Sequence, residues 1–175
     1  MENRKILKKS QNWLSFSLII LLAVIARLLP HPANFAPIGG LALFSGSHFK
    51  KKIAIAIPLL AMFVSDLFLG FYPALPYVYV SFVAIALIGS LIKKKQMFPI
   101  ALASLLSSSL FFLVTNCGVW LTSGMYSKSL YGLFQSYMMG LPFFRNTVAG
   151  DLFYSLSFFY GYDYLNDFLL KKLFT

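Results

Sequence analysis

A chain of 175 residues that is 59% hydrophobic and only 11% charged lacks the polar cover that water demands, since soluble domains carry about 25% charged residues. Together with a mean hydropathy of +0.76, this excludes an ordinary soluble domain. The net charge of +10 sits at the ends of apolar segments, where bases act as topology signals and contacts to anionic lipid, rather than along one polar face as in a nucleic-acid binder.

The chain opens on Arg4, Lys5, Lys8 and Lys9, followed by an apolar run. That run is longer than the apolar part of a signal peptide, and Arg27 and Pro30 stand where a small-x-small cleavage site belongs, so residues 13–29 read as an uncleaved first span. After a break at Pro30, His31 and Pro32 comes a second segment, 34–49, short for a span of about 20 residues. Pro37, Gly39 and Gly40 near its start predict a partly unwound or re-entrant element. The third span covers 53–71, and the fourth covers 77–92 after the turn Tyr72-Pro73-Ala74-Leu75-Pro76. Residues 97–121 form the longest apolar segment, with length enough to tilt. Residues 131–141 read as an interfacial or dipping helix ahead of the last span, 143–165. The expected fold is all-α, a six-helix transmembrane bundle with irregular segments at the outer ends of spans two and six. It forms a single integral membrane domain over 1–175, with 1–12 as a cytoplasmic basic N-terminus, 13–165 as the spans and 166–175 as a cytoplasmic tail.

Orientation follows from the basic clusters at 4–9, 50–52, 93–95 and 171–172, which hold twelve of the fifteen Lys and Arg residues. An even number of spans puts all four on the cytoplasmic side, as the positive-inside rule requires. Only Arg27, Lys128 and Arg145 remain for the outer half. Tyr72, Tyr77, Tyr79, Trp120 and Tyr126 then form an outer aromatic belt, and Trp13 marks the inner one. The expected location is the bacterial cytoplasmic (inner) membrane, multi-pass, with both termini cytoplasmic.

Four constellations interrupt the apolar segments. In 27–44, three prolines and two glycines expose backbone groups, which at membrane depth requires cover by protein or a water-filled cavity. One reading is a connecting turn with Arg27 snorkelling to headgroups. The other is a binding loop in which Arg27 offers a planar cation, His31 and Asn34 offer hydrogen bonds, and free N–H groups near Gly39 and Gly40 attract an anion. Asp66, one turn below the outer boundary, needs a partner, and Arg27 and Arg145 are the only arginines at similar depth. It serves as an ion-pair lock, a ligand contact, or both. In 115–120, Thr115 shares a helix face with Ser104 and Ser108, a pattern equally suited to helix packing. Asn116 and Trp120 pair an amide with an indole, as a pocket wall would. In 141–151, Arg145 and Asn146 open the last span, and Asp151 lies about 12 Å inward from Phe143 at 1.5 Å per residue. A carboxylate at that depth is usually functional, although hydrogen bonds to neighbouring hydroxyls are the alternative.

No HExxH, GxSxG or P-loop motif occurs, His31 and His48 fall on opposite sides, and no nucleophile–base pair stands out. Cys117, the single cysteine, offers neither an internal disulfide nor a CxxC site. The reading is therefore of a protein that is not an enzyme, with no metal, no cofactor and no nucleic-acid partner.

The stretch 27–44, then Pro58, Asp66 and Gly70, Thr115-Asn116 with Trp120, Tyr131-Gly132-Leu133, Tyr137, and Leu141-Pro142-Phe143-Phe144 with Asn146 together resemble an uncharacterised family of small bacterial membrane proteins. That family is itself similar to the substrate-binding S components of energy-coupling-factor (ECF) transporters. The resemblance implies capture of a vitamin-like small molecule from outside. It also implies transfer by toppling within a complex of a coupling transmembrane subunit and ATPase subunits. S components often present Ala-x-x-x-Ala on the first helix, whereas here Ala23 and Ala26 are three apart. Nickel and cobalt variants carry an N-terminal histidine motif that residues 1–10 lack.

The expectation is a substrate-binding subunit whose pocket opens outward. Arg27 and Arg145 hold an anionic or hydrogen-bonding group. His31, Asn34, Asp66, Thr115, Asn116, Asn146 and Asp151 supply polar edges, and Phe35, Tyr79 and Trp120 stack on a flat body. The competing expectation is a ligand-free scaffold of cell-envelope morphogenesis resembling the rod-shape protein MreD.

Overall fold

The structure, a computed structural model, describes residues 17–92 and 96–174, with side chains to 168. Among these residues there are six helices and no strand: α1 (Ser17–Leu28), α2 (Ile38–His48), α3 (Lys51–Leu69), α4 (Leu75–Gly89), α5 (Met97–Thr122) and α6 (Leu130–Phe174). The basic clusters at 4–9 and 93–95 and the inner-belt Trp13 lie outside the described residues, as do the side chains of Lys171 and Lys172. Of the described helices, α3 and α5 are long and apolar enough to cross a membrane, while α1 and α4 are shorter apolar helices.

α2 is the hub. It touches α3, α4, α5 and α6, and its nine residues from Ile38 to Gly46 are all buried. A short helix that is apolar on every side is stable only when its neighbours enclose it, because it has no face to offer water. Small residues permit the enclosure. A Cβ on Gly46 would strike the Ala86 carbonyl, and one on Gly89 the Leu43 carbonyl, so α2 and α4 cross backbone to backbone. Phe44, 1% exposed, meets Phe159 of α6 edge-on at 5.4 Å between ring centroids. Many large apolar side chains also face outward, Leu60, Phe68, Leu91, Phe98 and Leu106 among them.

The segment from Leu29 to Pro37 is non-helical, as its prolines predict. Asn34 there adopts φ 65, a left-handed conformation that asparagine tolerates better than most residues. The second expected irregularity is absent. The separate dipping helix 131–141 and the break before 143 are replaced by one helix of 45 residues that runs through Pro142. Proline removes a single rung of the hydrogen-bond ladder, and packing of α6 along α5 holds the turns on either side.

Candidate functional site

Two buried carboxylates organise the polar interior. The first is Asp66 on α3, 1% exposed. Arg27 from the end of α1 donates to its Oδ1 at 2.7 Å, and Tyr79 of α4 donates to Oδ2 at 2.9 Å. The Arg27 guanidinium also donates to the Met62 carbonyl at 3.2 Å and to the Ser65 hydroxyl. One cation and one phenol therefore satisfy both carboxylate oxygens and tie three helices together. Tyr72, in the turn between α3 and α4, lies beside this pair; burial, then the Asp66 charge, push its phenol pKa up against the opposing effect of Arg27.

The second carboxylate is Asp151 on α6, 5% exposed. Ser108 of α5 donates to its Oδ2 at 2.7 Å. The carboxylate lies against the first turn of α2, where a Cβ on Gly39 would overlap Oδ1. Glycine at 39 is what lets the carboxylate approach this helix end.

Beside Asp151 and the Arg27 guanidinium lies a cavity of about 100 Å³, whose lining also includes Asn34, Gly39, Met62 and Thr147. A second chamber of about 360 Å³ adjoins it, lined among others by Phe111, Phe112, Thr115, Asn116, Tyr126 and Gly140. The two share Asn34, Tyr72, Val78, Phe111 and Thr147 and so form one recess with a small inner and a larger outer part. The outer part alone falls within the range of small-molecule pockets, about 300–1,000 Å³. Asn116 is held in its wall by a bond from Nδ2 to the Phe112 carbonyl at 2.8 Å. Its side chain occupies the space that a Cβ on Gly140 would need. A third recess of about 380 Å³ lies further along, formed by Met125, Tyr126, Met138 and Met139 with neighbouring residues.

Of the residues singled out from sequence, Arg27, Asn34, Thr115, Asn116 and Asp151 line these chambers. Asp66 stands behind them as the partner of Arg27, and Tyr79 as the partner of Asp66. Others are elsewhere. Arg145 is exposed and lines neither chamber, so it does not join Arg27 as an anion clamp. Trp120 turns away: its indole N–H donates to the Ser127 carbonyl at 2.8 Å, and the Lys128 ammonium lies 5.5 Å from the ring centroid. Lys128 also donates to the Trp120 and Leu121 carbonyls, finishing α5. Phe35 packs on Phe153 and Tyr154 of α6, with centroids 6.0 and 5.6 Å away. His31 places its ring nitrogens 3.2 Å from the Arg27 carbonyl and 3.0 Å from that of Pro32, so it shapes the turn. Asn146 Nδ2 donates to the Ala33 carbonyl at 3.0 Å and ties the same turn to α6.

Gly39, expected as a backbone contact for an anion, lies against the Asp151 carboxylate, and residues outside the expected set complete the site: Ser108, Gly140, Tyr72, Phe111 and Phe112. Ser108 and Gly39 carried a signal, the first through its helix face with Ser104, the second through the glycine pair. The phenylalanines did not differ from lipid-facing ones in sequence. Among the described residues no group of three or more His, Cys, Asp or Glu side chains gathers as a metal site needs.

These features define an all-helical protein with apolar helices long enough to cross a membrane and a polar recess between them. The chain belongs to the family described as "Family of unknown function (DUF6580)", whose model matches residues 7–172. No curated protein and no solved structure matches it.

Proposed function

We propose that this chain is a multi-pass protein of the bacterial inner membrane that captures a small molecule at its extracytoplasmic side, in the manner of an ECF S component. All six helices enter the bilayer, and α6, with 45 residues, runs on beyond it into the cytosol. α2, at 11 residues about 16 Å long, is a half-length return element enclosed by the others, and the termini and basic clusters face the cytosol. The observation that carries this reading is the two-part recess. Its lining includes the amides of Asn34 and Asn116, the hydroxyls of Thr115 and Thr147 and the carboxylate of Asp151, together with the rings of Phe111 and Phe112. Convergent polar groups in an otherwise apolar concavity are the usual form of a small-molecule site. The proposed ligand is vitamin-like, the proposed partners are a coupling transmembrane subunit and ATPase subunits, and no catalysis is assigned.

The test is mass spectrometry of small molecules released from protein purified gently in lipid, with Asn116→Ala as the comparison. Retention by the parent chain and loss in a folded Asn116→Ala variant support capture; an empty parent chain overturns it. Reporter fusions at Lys51 test the topology, since a fusion reporting this loop outside the cell overturns the orientation.

A second reading, a ligand-free scaffold of cell-envelope morphogenesis, is favoured by one observation. Arg27, Asp66 and Tyr79 satisfy one another and need nothing further. That reading gives no role to the recess.

A further inference from the structure

The two parts of the recess differ in charge. Arg27 is the cation on the inner wall, and its guanidinium is engaged by Asp66 at 2.7 Å, so the pair brings no net charge to the space it lines. Asp151, which lines the same inner part, has no such partner among the described residues. Ser108 donates to Oδ2 at 2.7 Å, and among the described residues no donor meets Oδ1. The other described cations of this half are committed or remote, with Lys128 on the carbonyls that end α5 and Arg145 exposed outside both chambers. The recess is thus lined by one uncompensated carboxylate, two amides and several hydroxyls that already donate to their own helices, as Thr115 does to Phe111 and Thr147 to Phe143.

A carboxylate withdrawn from water is costly unless a counter-charge and donors reach it. An anionic ligand would add to that cost. A ligand bearing an ammonium or amidinium would relieve it, because such a group brings the charge and two or more N–H donors together. Size argues the same way. The inner part, about 100 Å³, holds a compact head group, and the outer part, about 360 Å³, holds a flat apolar body against Phe111 and Phe112.

Resting on the capture reading above, we infer that the ligand is a small organic cation, its charged nitrogen seated on Asp151 in the inner part and its ring in the outer part. The expected anion clamp of Arg27 and Arg145 is replaced by a cation seat.

The experiment uses the full chain in lipid nanodiscs with benzylamine, benzyl alcohol and benzoate as matched probes, read by equilibrium dialysis and by the thermal unfolding midpoint. Benzylamine is expected to bind tighter than benzyl alcohol by roughly 10- to 100-fold, the usual worth of a hydrogen bond to a charged group, and benzoate is expected not to bind. Asp151→Asn should abolish the preference for the amine. Should that variant not fold, the order of the three probes on the parent chain decides alone. Benzoate or benzyl alcohol binding as well as benzylamine, or an amine preference that survives Asp151→Asn, overturns the cation seat and leaves capture standing. Sodium chloride stabilising the parent chain where potassium chloride does not, with loss in Asp151→Asn, overturns it in favour of a metal cation. No binding of any probe, together with no molecule released from the purified protein, overturns both this inference and the capture reading.

Discussion

Asp66 and Asp151 are both aspartates buried in apolar helices, 1% and 5% exposed, and they line or flank the same recess, yet their surroundings differ in kind. Asp66 has a cation on one oxygen and a phenol on the other. Asp151 has a single serine hydroxyl. A carboxylate with both oxygens satisfied by side chains from neighbouring helices holds the bundle together; one left half-satisfied beside a cavity stores an unmet demand. The general lesson is that burial alone does not mark a binding residue. What marks it is the balance between the cost of burial and the partners that the protein itself supplies.

The contrast can be broken from either side. Asp66→Ala leaves the largely buried Arg27 guanidinium without its counter-charge, with only the Met62 carbonyl and Ser65 hydroxyl as partners, and is expected to cost about 3–5 kcal/mol, read as a fall in the midpoint of thermal or denaturant unfolding in lipid. Tyr79→Phe leaves Asp66 Oδ2 without its donor while keeping the ring, and should cost about 1–3 kcal/mol by the same measurement. Asp151→Asn removes a charge that nothing in the protein balances, so the unfolding midpoint should stay level or rise. A loss as large as that of Asp66→Ala would make the two aspartates equivalent and remove the distinction. Arg145→Ala, on the exposed side of α6, should stay within about 0.5 kcal/mol and leave retention of the copurified molecule unchanged. Loss of retention in that variant would restore Arg145 to the site.

Much of this was legible in the sequence where scarcity forced an answer. A carboxylate on an apolar helix needed a cation, and Arg27 was one of only two arginines at similar depth. The proline-rich stretch before α2 likewise announced its own irregularity, and the bounds of α3, α4 and α5 differ from expectation by a few residues at most. Arg145 was misplaced although helical arithmetic spoke against it. Six residues at 100° each set it about 120° from Asp151 around α6, while Thr147 lies within about 40°. Trp120 shares a neighbouring face with Asn116, but the chain folds back after Thr122 and takes the indole as its own partner. That reversal depends on Ser127 and Lys128, whose positions no periodicity reveals. The continuity of α6 through Pro142 was hidden for a similar reason. Proline weakens a helix locally, and only the packing of α5 along both halves decides whether the helix survives.

One consequence of the enclosure of α2 concerns assembly of the protein during synthesis. Its neighbours include α5 and α6, which emerge from the ribosome after it. At about 16 Å, the segment is too short to settle across a bilayer unaided, and a nascent chain ending after α4 leaves the sides that meet α5 and α6 bare. The middle of this protein is therefore completed last. Chains truncated before Met97 should be degraded rather than accumulate as stable fragments.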